Sequence, residues 1–407
     1  MHVLDSPFTG LFTEFGPTAR RAHDPDVHVH AGRMVPLANG LPGSVGGAAL
    51  TEAAAAGATV GEALERCGAA PAPFDATRIA RFDAWPDREP AVDPARFALF
   101  SAEQYASKGF PFCPLTTATE CAWLRFRDAR DGRACWVPEA FAYLACDGAD
   151  AFAPRTSTGL AAGRAGEPVV LRGLQEVLER DAAVGGWWGA YPLEEHDADG
   201  VFAALPPEVA ARFRRPNLTW HCWRVDTPLA AHATWVTCRG EDREGLVFSS
   251  GSACRETRAA SWLKSLCEAV QGRHYVRYLV AQPEHRSPPA PALPSTFEEH
   301  AVYYTRAPQA LAGTSFSLAR GCAANADPRA ADTDSLAALV ARLGDAHPVL
   351  VRAMTPPQVV RLPGDWRVVR VVVPGLTPLH GDHRLPHLGG RAGRGLTPAR
   401  LVAHPFA

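Results

Sequence analysis

The sequence predicts an α+β fold of mixed sheets packed with long helices, on three observations. Strand-like runs are interspersed with helical stretches of about 20 residues, such as 46–70, 168–184 and 258–279. "WRVVRVVVPGL" (366–376) is so rich in valine that it reads as a central strand. The order strand, small-residue turn, Glu-bearing helix occurs twice, a pattern consistent with internal duplication.

Along the chain, "VHVHAGRMVPL" (27–37) alternates as a strand does and leads through Gly and Pro to the Ala-rich helix 46–70. Residues 71–97 hold five prolines and read as a loop. "ACWVPEAFAYLAC" (134–146) reads as a strand, followed by the turn "STGLAAG" (157–163) and the second helix. "HATWVTCRGEDREGLVFSSGSAC" (232–254) has the form of a hairpin, ahead of the third helix. "SPPAPALP" (287–294) is a proline-rich connector.

The chain has 407 residues, enough for one large core or two to three ordinary ones. A formal charge of −2 provides no basic field for nucleic acid. The opening "MHVLDSPFTG" lacks a basic-then-apolar signal, and no apolar run is long enough for a membrane helix. A cytoplasmic location without membrane partners is therefore expected. The ten cysteines run from Cys67 to Cys322 with no C-x-x-C pair, and they read as reduced, mostly buried side chains.

The chemistry points to two copies of Glu-x-x-Glu-Arg. One is Glu62, Glu65 and Arg66 in "GEALER"; the other is Glu176, Glu179 and Arg180 in "GLQEVLERDA". On a helix, positions i, i+3 and i+4 share a face. A lone triplet of this kind is a surface ion pair worth about 0.3–0.5 kcal/mol. Two copies offer four carboxylates, and convergent carboxylates repel unless a cation neutralises them. Magnesium suits that task, because it takes a few carboxylates together with phosphate oxygens and water, while arginines face the phosphates. Both readings stand on the pattern alone.

Several motifs in order carry a resemblance to the YcaO-domain family, and within it to cyclodehydratases that form azoline rings in ribosomal peptides. They are "GEALER" (61–66), "STGLAAG" (157–163), "GLQEVLERDA" (173–182), "EAVQGR" (268–273), "FEEHAVYY" (297–304) and "VVVPGLTPLHGDHRLPHLGG" (371–390). The resemblance implies a YcaO domain over 27–407 behind an extension at 1–26, with a connector near 283–295 and a tail over 391–407. It further implies ATP and Mg2+ in a site built on the two Glu helices. Glu62, Glu65, Glu176 and Glu179 would hold metal; Glu65, Arg180, Thr158 and Lys264 would contact the nucleotide. In that chemistry a Cys, Ser or Thr of a precursor peptide attacks the preceding carbonyl, and ATP phosphorylates the oxygen that is lost. No protein nucleophile is singled out. A separate leader-binding, E1-like partner and a homodimer are further expectations. Other outcomes within the family are thioamide or macrocyclic amidine formation, or a degenerate subunit that scaffolds an active partner.

The sequence also departs from the family pattern. Ala48 stands where a lysine is usual, Ala58 where a serine is common, and Thr158 in a frequent Ser-Asn-Gly. Pro168 replaces a glutamate, with Glu167 displaced by one, and Lys264 replaces a phosphate-facing arginine, losing its bidentate fork. The family's proline-alternating tail is represented by "LVAHPFA", which keeps His404, Pro405 and Phe406. His380, His383 and His387 lie in a Gly- and Pro-containing loop and read as solvated or hydrogen-bonding groups. Trp187, Trp188 and "WHCW" (220–223) read as core.

Overall fold

A computed structural model describes residues 10–35, 43–71, 77–86, 88–97, 99–144, 151–243, 245–282, 293–318, 320–321, 329–360, 364–396 and 401–406. Three sheets organise them. The first is antiparallel and ordered β1-β2-β3, from strands Phe12–Pro17, His28–Met34 and Ser44–Ala49. Its first strand thus lies within the segment expected to be an extension.

The second sheet is built on β4 (Thr77–Arg81), β5 (Glu120–Asp128), β6 (Ala134–Pro138) and β7 (Leu160–Gly163), with β13 (Leu350–Ala353) and β14 (Arg367–Val372). Its order is β4-β5-β13-β14-β7, and β6 also pairs with β5. The third sheet takes β8 (Leu193–His196), β9 (Leu218–Val225), β10 (Ala233–Asp242), β11 (Gly245–Cys254) and β12 (Arg320–Gly321), in the order β11-β10-β9-β8-β12. Its β8–β12 pair is parallel, so this sheet is mixed.

Three long helices fill the space between the sheets. The first glutamate helix, Glu52–Gly68, is capped by Thr51 Oγ1, which accepts from Ala54 N at 3.3 Å. It packs on β2, β3, β7 and β14. The second glutamate helix, Val169–Trp187, starts behind Pro168 without a side-chain cap and packs on β14, β11 and β7. The long helix Arg258–Ala281 is capped by Thr257 and packs on β11, β10 and β3. Gly251 permits its approach, since a Cβ there would lie 2.3 Å from Ser265 O.

Expected and observed elements agree in type and differ at their edges. Residues 44–49 form the edge strand β3 rather than the start of a helix, because they pair with β2, and Gly47 lets this strand lie close against the first glutamate helix. The proline-rich stretch 71–97 contains β4 as well as 3₁₀ turns. "STGLAAG" is a turn that continues into β7. The strand expected at 134–146 ends at Pro138 in a 3₁₀ turn, and 145–146 lie outside the described residues. Most of the 287–294 connector also lies outside them. Trp187, Trp220 and Trp223 are buried, as are Cys121, Cys222, Cys238, Cys254 and Cys267, while Cys113 is exposed.

Gly159 joins this frame to the acidic helices. It has φ +88°, a left-handed conformation, and a Cβ would lie 2.1 Å from Val371 O. Its own carbonyl accepts from Val371 N at 2.7 Å. Gly159→Ala is expected to lose about 1–3 kcal/mol of stability, measured by denaturant unfolding; an unchanged midpoint would show that the turn tolerates a side chain.

Candidate active site

Each sheet contributes a free edge to one place, and the glutamates dock on those edges. β3, β7 and β11 are all terminal strands of their sheets. Glu62 Oε2 accepts from Gly46 N of β3 at 2.9 Å, and Glu65 Oε1 from Ala162 N of β7 at 2.8 Å. Glu176 Oε2 accepts from Gly159 N, just before β7, at 3.3 Å. Glu179 Oε1 accepts from the Ser252 hydroxyl of β11 at 2.7 Å. An unpaired strand edge leaves N–H groups that need acceptors, and carboxylates supply them.

Arg180 lies at the centre. Its Nε is 3.9 Å from Glu176 Oε1 and 3.9 Å from Glu179 Oε1. Burial works against its charge, but Glu179, Glu176, Glu268 and Glu62 outweigh it and hold the guanidinium ionised. Carboxylates from all three long helices therefore act on one cation. Arg66 pairs with Glu62 at 3.0 Å, the i,i+4 contact of a simple helix ion pair. The second triplet is looser and more buried, so the surface-pair reading fails for it.

The charges are unevenly matched. Burial raises the Glu65 carboxyl well above the usual range, and Glu176 and Glu62 raise it further. Burial also raises Glu176, against the opposing pull of Arg180 and Gly159 N. Burial and then Glu268 push Glu179 up to about 7. Glu268 is shifted down: burial opposes its ionisation, but Lys264, whose Nζ is 3.0 Å from Glu268 Oε1, and Arg180 prevail.

The residues expected in the site are brought together with others that sequence reasoning missed. Glu62, Glu65, Glu176, Glu179 and Arg180 converge, and Lys264 joins them through Glu268. Thr158 pairs with the Thr156 hydroxyl at 2.8 Å and lines a cleft with Val177, Phe141 and Arg370. Glu268 was missed, although it opens "EAVQGR" one turn after Lys264. Arg370 was also missed; its signal was a charge inside a valine run. It is buried on β14, with Nη1 donating to Thr156 O at 2.9 Å, and burial brings its guanidinium down to about 10 while Glu176 draws it up.

The departures have local explanations. Ala48 is buried in an apolar cluster with Val29, Leu266 and Val270. Ala58 is exposed on the first helix. Glu167 Oε2 accepts from Arg164 N at 2.8 Å, an exposed bond within its own turn. His380, His383 and His387 are buried rather than solvated.

Residues 46–377 match the family described as YcaO cyclodehydratase, ATP- and Mg2+-binding. The chain belongs to the YcaO family. No curated protein matches this YcaO chain. Among solved structures, a heterocyclase in complex with substrate and cofactor is similar over 99% of this chain and 56% of its own, at 17% identity and TM-score 0.72. YcaO from Methanopyrus kandleri, bound with AMPPCP and Mg2+, is similar over 90% and 86%, at 18% identity and TM-score 0.58. A chain of the E. coli microcin synthetase McbBCD complex is similar over 97% and 96%, at 12% identity and TM-score 0.63. These likenesses show the YcaO heterocyclase fold. The chain spans little more than half the length of the heterocyclase.

The carboxylates fit a divalent cation of the magnesium type. Among the described residues no three His, Cys, Asp or Glu side chains are arranged to hold a metal ion by themselves. Magnesium does not require that, since phosphates and water complete its octahedron around one or two carboxylates. Glu65 and Glu176 each spend one oxygen on a backbone N–H; the other oxygen of Glu176 lies 3.9 Å from Arg180 Nε, and Glu65 feels Glu176 and Glu62 as like charges.

The carboxyls give a pH signature. Glu179 holds its proton to about 7 in the folded chain against 4.5 as its ordinary value, so folding takes up a proton between these limits. Its contribution to stability therefore falls as pH rises through that window. Metal-free Glu179→Gln should melt above the wild type at pH 8, with the gap closing toward pH 5. Thermal melts across this range check it; a gap independent of pH contradicts the assignment.

Proposed function

We propose that this protein is an ATP- and Mg2+-dependent cyclodehydratase that converts Cys, Ser or Thr of a ribosomally made precursor peptide to thiazoline or oxazoline. The observation that carries the reading is Arg180 held among carboxylates of three helices, in a chain of a family described as ATP- and Mg2+-binding. Making an amide oxygen into a leaving group is a problem of positioning and charge neutralisation, which a cluster of this kind serves without a protein nucleophile.

The Cys, Ser or Thr side chain attacks the preceding carbonyl carbon and loses its proton. The carbonyl oxygen then takes the γ-phosphoryl group, ADP leaves, and the C–O bond breaks to release phosphate as the amide nitrogen gives up its proton and the C=N bond forms. In this scheme Mg2+ would be held by one or two at a time of Glu62, Glu65, Glu176 and Glu179 together with phosphate oxygens and water, and when bound it would neutralise the phosphate oxygens. Arg180 presents its fork to phosphate, and Lys264 adds a point charge. Thr158 and Glu65 bind the nucleotide. Ser252, Gly159, Ala162 and Gly46 orient the carboxylates.

The partners follow the same reading: a precursor peptide, a separate E1-like leader-binding protein, and a homodimer, in the cytoplasm. Among the described residues no helix is long and apolar enough to cross a membrane. The solved neighbours include a multi-protein complex with pro-MccB17 bound. A second reading, a subunit that scaffolds an active partner, rests on Ala48 buried in the apolar cluster and Pro168 at the second helix.

Incubation with partner, precursor peptide and Mg-ATP distinguishes the two. The enzyme reading expects phosphate release matched by loss of one water per ring, and a drop of at least about 100-fold in Glu176→Gln. Partner binding with neither product supports the scaffold.

A further inference from the structure

Outside the acidic cluster, five histidines meet in one buried core. His300 comes from the helix Phe297–Arg306, His380, His383 and His387 from the loop after β14, and His404 from the segment 401–406. His300 is fully buried, and His383, the most exposed of them, is only 5% exposed. The His300 and His404 rings stack with centroids 3.8 Å apart, and His380 stands edge-on to His404 at 4.7 Å.

These rings fasten residues 401–406. His300 Nδ1 donates to His404 O at 2.8 Å, and His404 Nε2 donates to His380 O at 2.8 Å. Phe406 N donates to His404 Nδ1 at 3.3 Å, which fixes His404 as the Nε2-protonated tautomer. The Leu401 backbone favours charge on His383. Around them, Trp187 Nε1 donates to Val402 O at 2.9 Å, the Tyr304 hydroxyl to Ala403 O, and the Ser250 hydroxyl to Pro405 O at 2.6 Å. Phe406 lies against Trp235, ring centroids 4.5 Å apart.

The arrangement suits neutral rings. Two imidazolium ions stacked at 3.8 Å repel strongly where water is absent. Protonation would also place N–H groups at His300 Nε2, His380 Nδ1, His383 Nδ1 and His387 Nε2, buried atoms without a hydrogen-bond partner. Burial drives His300 and His387 down to about 4, and it drives His380 and His404 well below the ordinary imidazole value.

Each packed element faces the cage with specific groups. From their own segments, Asp382 and Glu299 favour charge on His300, and Asp382 does so on His383, but Arg384 is paired with Asp382. The second glutamate helix presents Trp188 to His380, the 99–100 stretch presents Phe100 to His387, and β11 presents Ser250.

We propose that this histidine cage is a pH-sensitive lock on residues 401–406, in which neutral rings seat the segment and proton uptake releases it. Released rings titrate near the ordinary 6.5, so release consumes protons and is favoured as pH falls below that value. Release frees Ser250, which stands two residues along β11 from Ser252, the partner of Glu179. The lock is independent of the ATP and peptide reading.

Hydrogen exchange of the full chain from pH 8 to 5, corrected for intrinsic rate, tests it. In the wild type, protection of the buried Ala403, His404 and Phe406 amides should fall about tenfold per pH unit for each proton taken up, while the helix Arg258–Ala281 keeps its protection. Replacing both His300→Asn and His404→Gln, which retain a donor at the bonded position, should flatten that dependence. Wild-type protection unchanged to pH 5, or the same pH midpoint in the double variant, would overturn the lock. If the double variant does not fold, NMR titration of the wild-type rings decides. Rings that titrate only together with release sustain the proposal; rings that titrate with the segment still protected defeat it.

Discussion

One guanidinium ties the candidate site together. Arg180 is the cation on which Glu62, Glu176, Glu179 and Glu268 all act from three helices, with Arg66 beside Glu62 and Lys264 beside Glu268. Without it, the mutual repulsion of these carboxylates would act directly on the helix packing. Its contacts at 3.9 Å are long for a salt bridge, so it compensates charge without saturating the oxygens. Glu65, which feels Glu176 and Glu62 as like charges, is the group left most in need of a further cation.

The strand edges are the second constraint. β3, β7 and β11 each end a sheet, and exposed edges invite non-native pairing. In this fold the edges of β3 and β7 are closed by the glutamates that form the site. Long helices pack across all three edges. A helix-borne carboxylate here has two tasks at once: it terminates a sheet and it carries site charge.

Much of this was legible in the residues. The doubled Glu-x-x-Glu-Arg fixed which side chains share a helix face, and periodicity located the three helices to within a few residues at most boundaries. The 232–254 hairpin was evident from two β-rich runs about a short polar turn. Other features depend on tertiary contacts that no local pattern contains. Residues 44–49 look like a helix start because Gly and Ala are permissive, and only pairing with β2 makes them a strand. Arg370 and Glu268 enter the site through β14 and the long helix, whose docking is nonlocal. His300 and His404 are 104 residues apart, so a cage made with the 380–387 loop was invisible along the chain.

Spreading the four glutamates over three sheets has a further result. The first sheet holds Glu62, the second holds Glu65 and Glu176, and the third holds Glu179. A folding intermediate with any one sheet undocked has an incomplete charge cluster. The charge cluster is therefore complete only where all three sheets meet, and each carboxylate's position reports on the docking of the sheet that holds it.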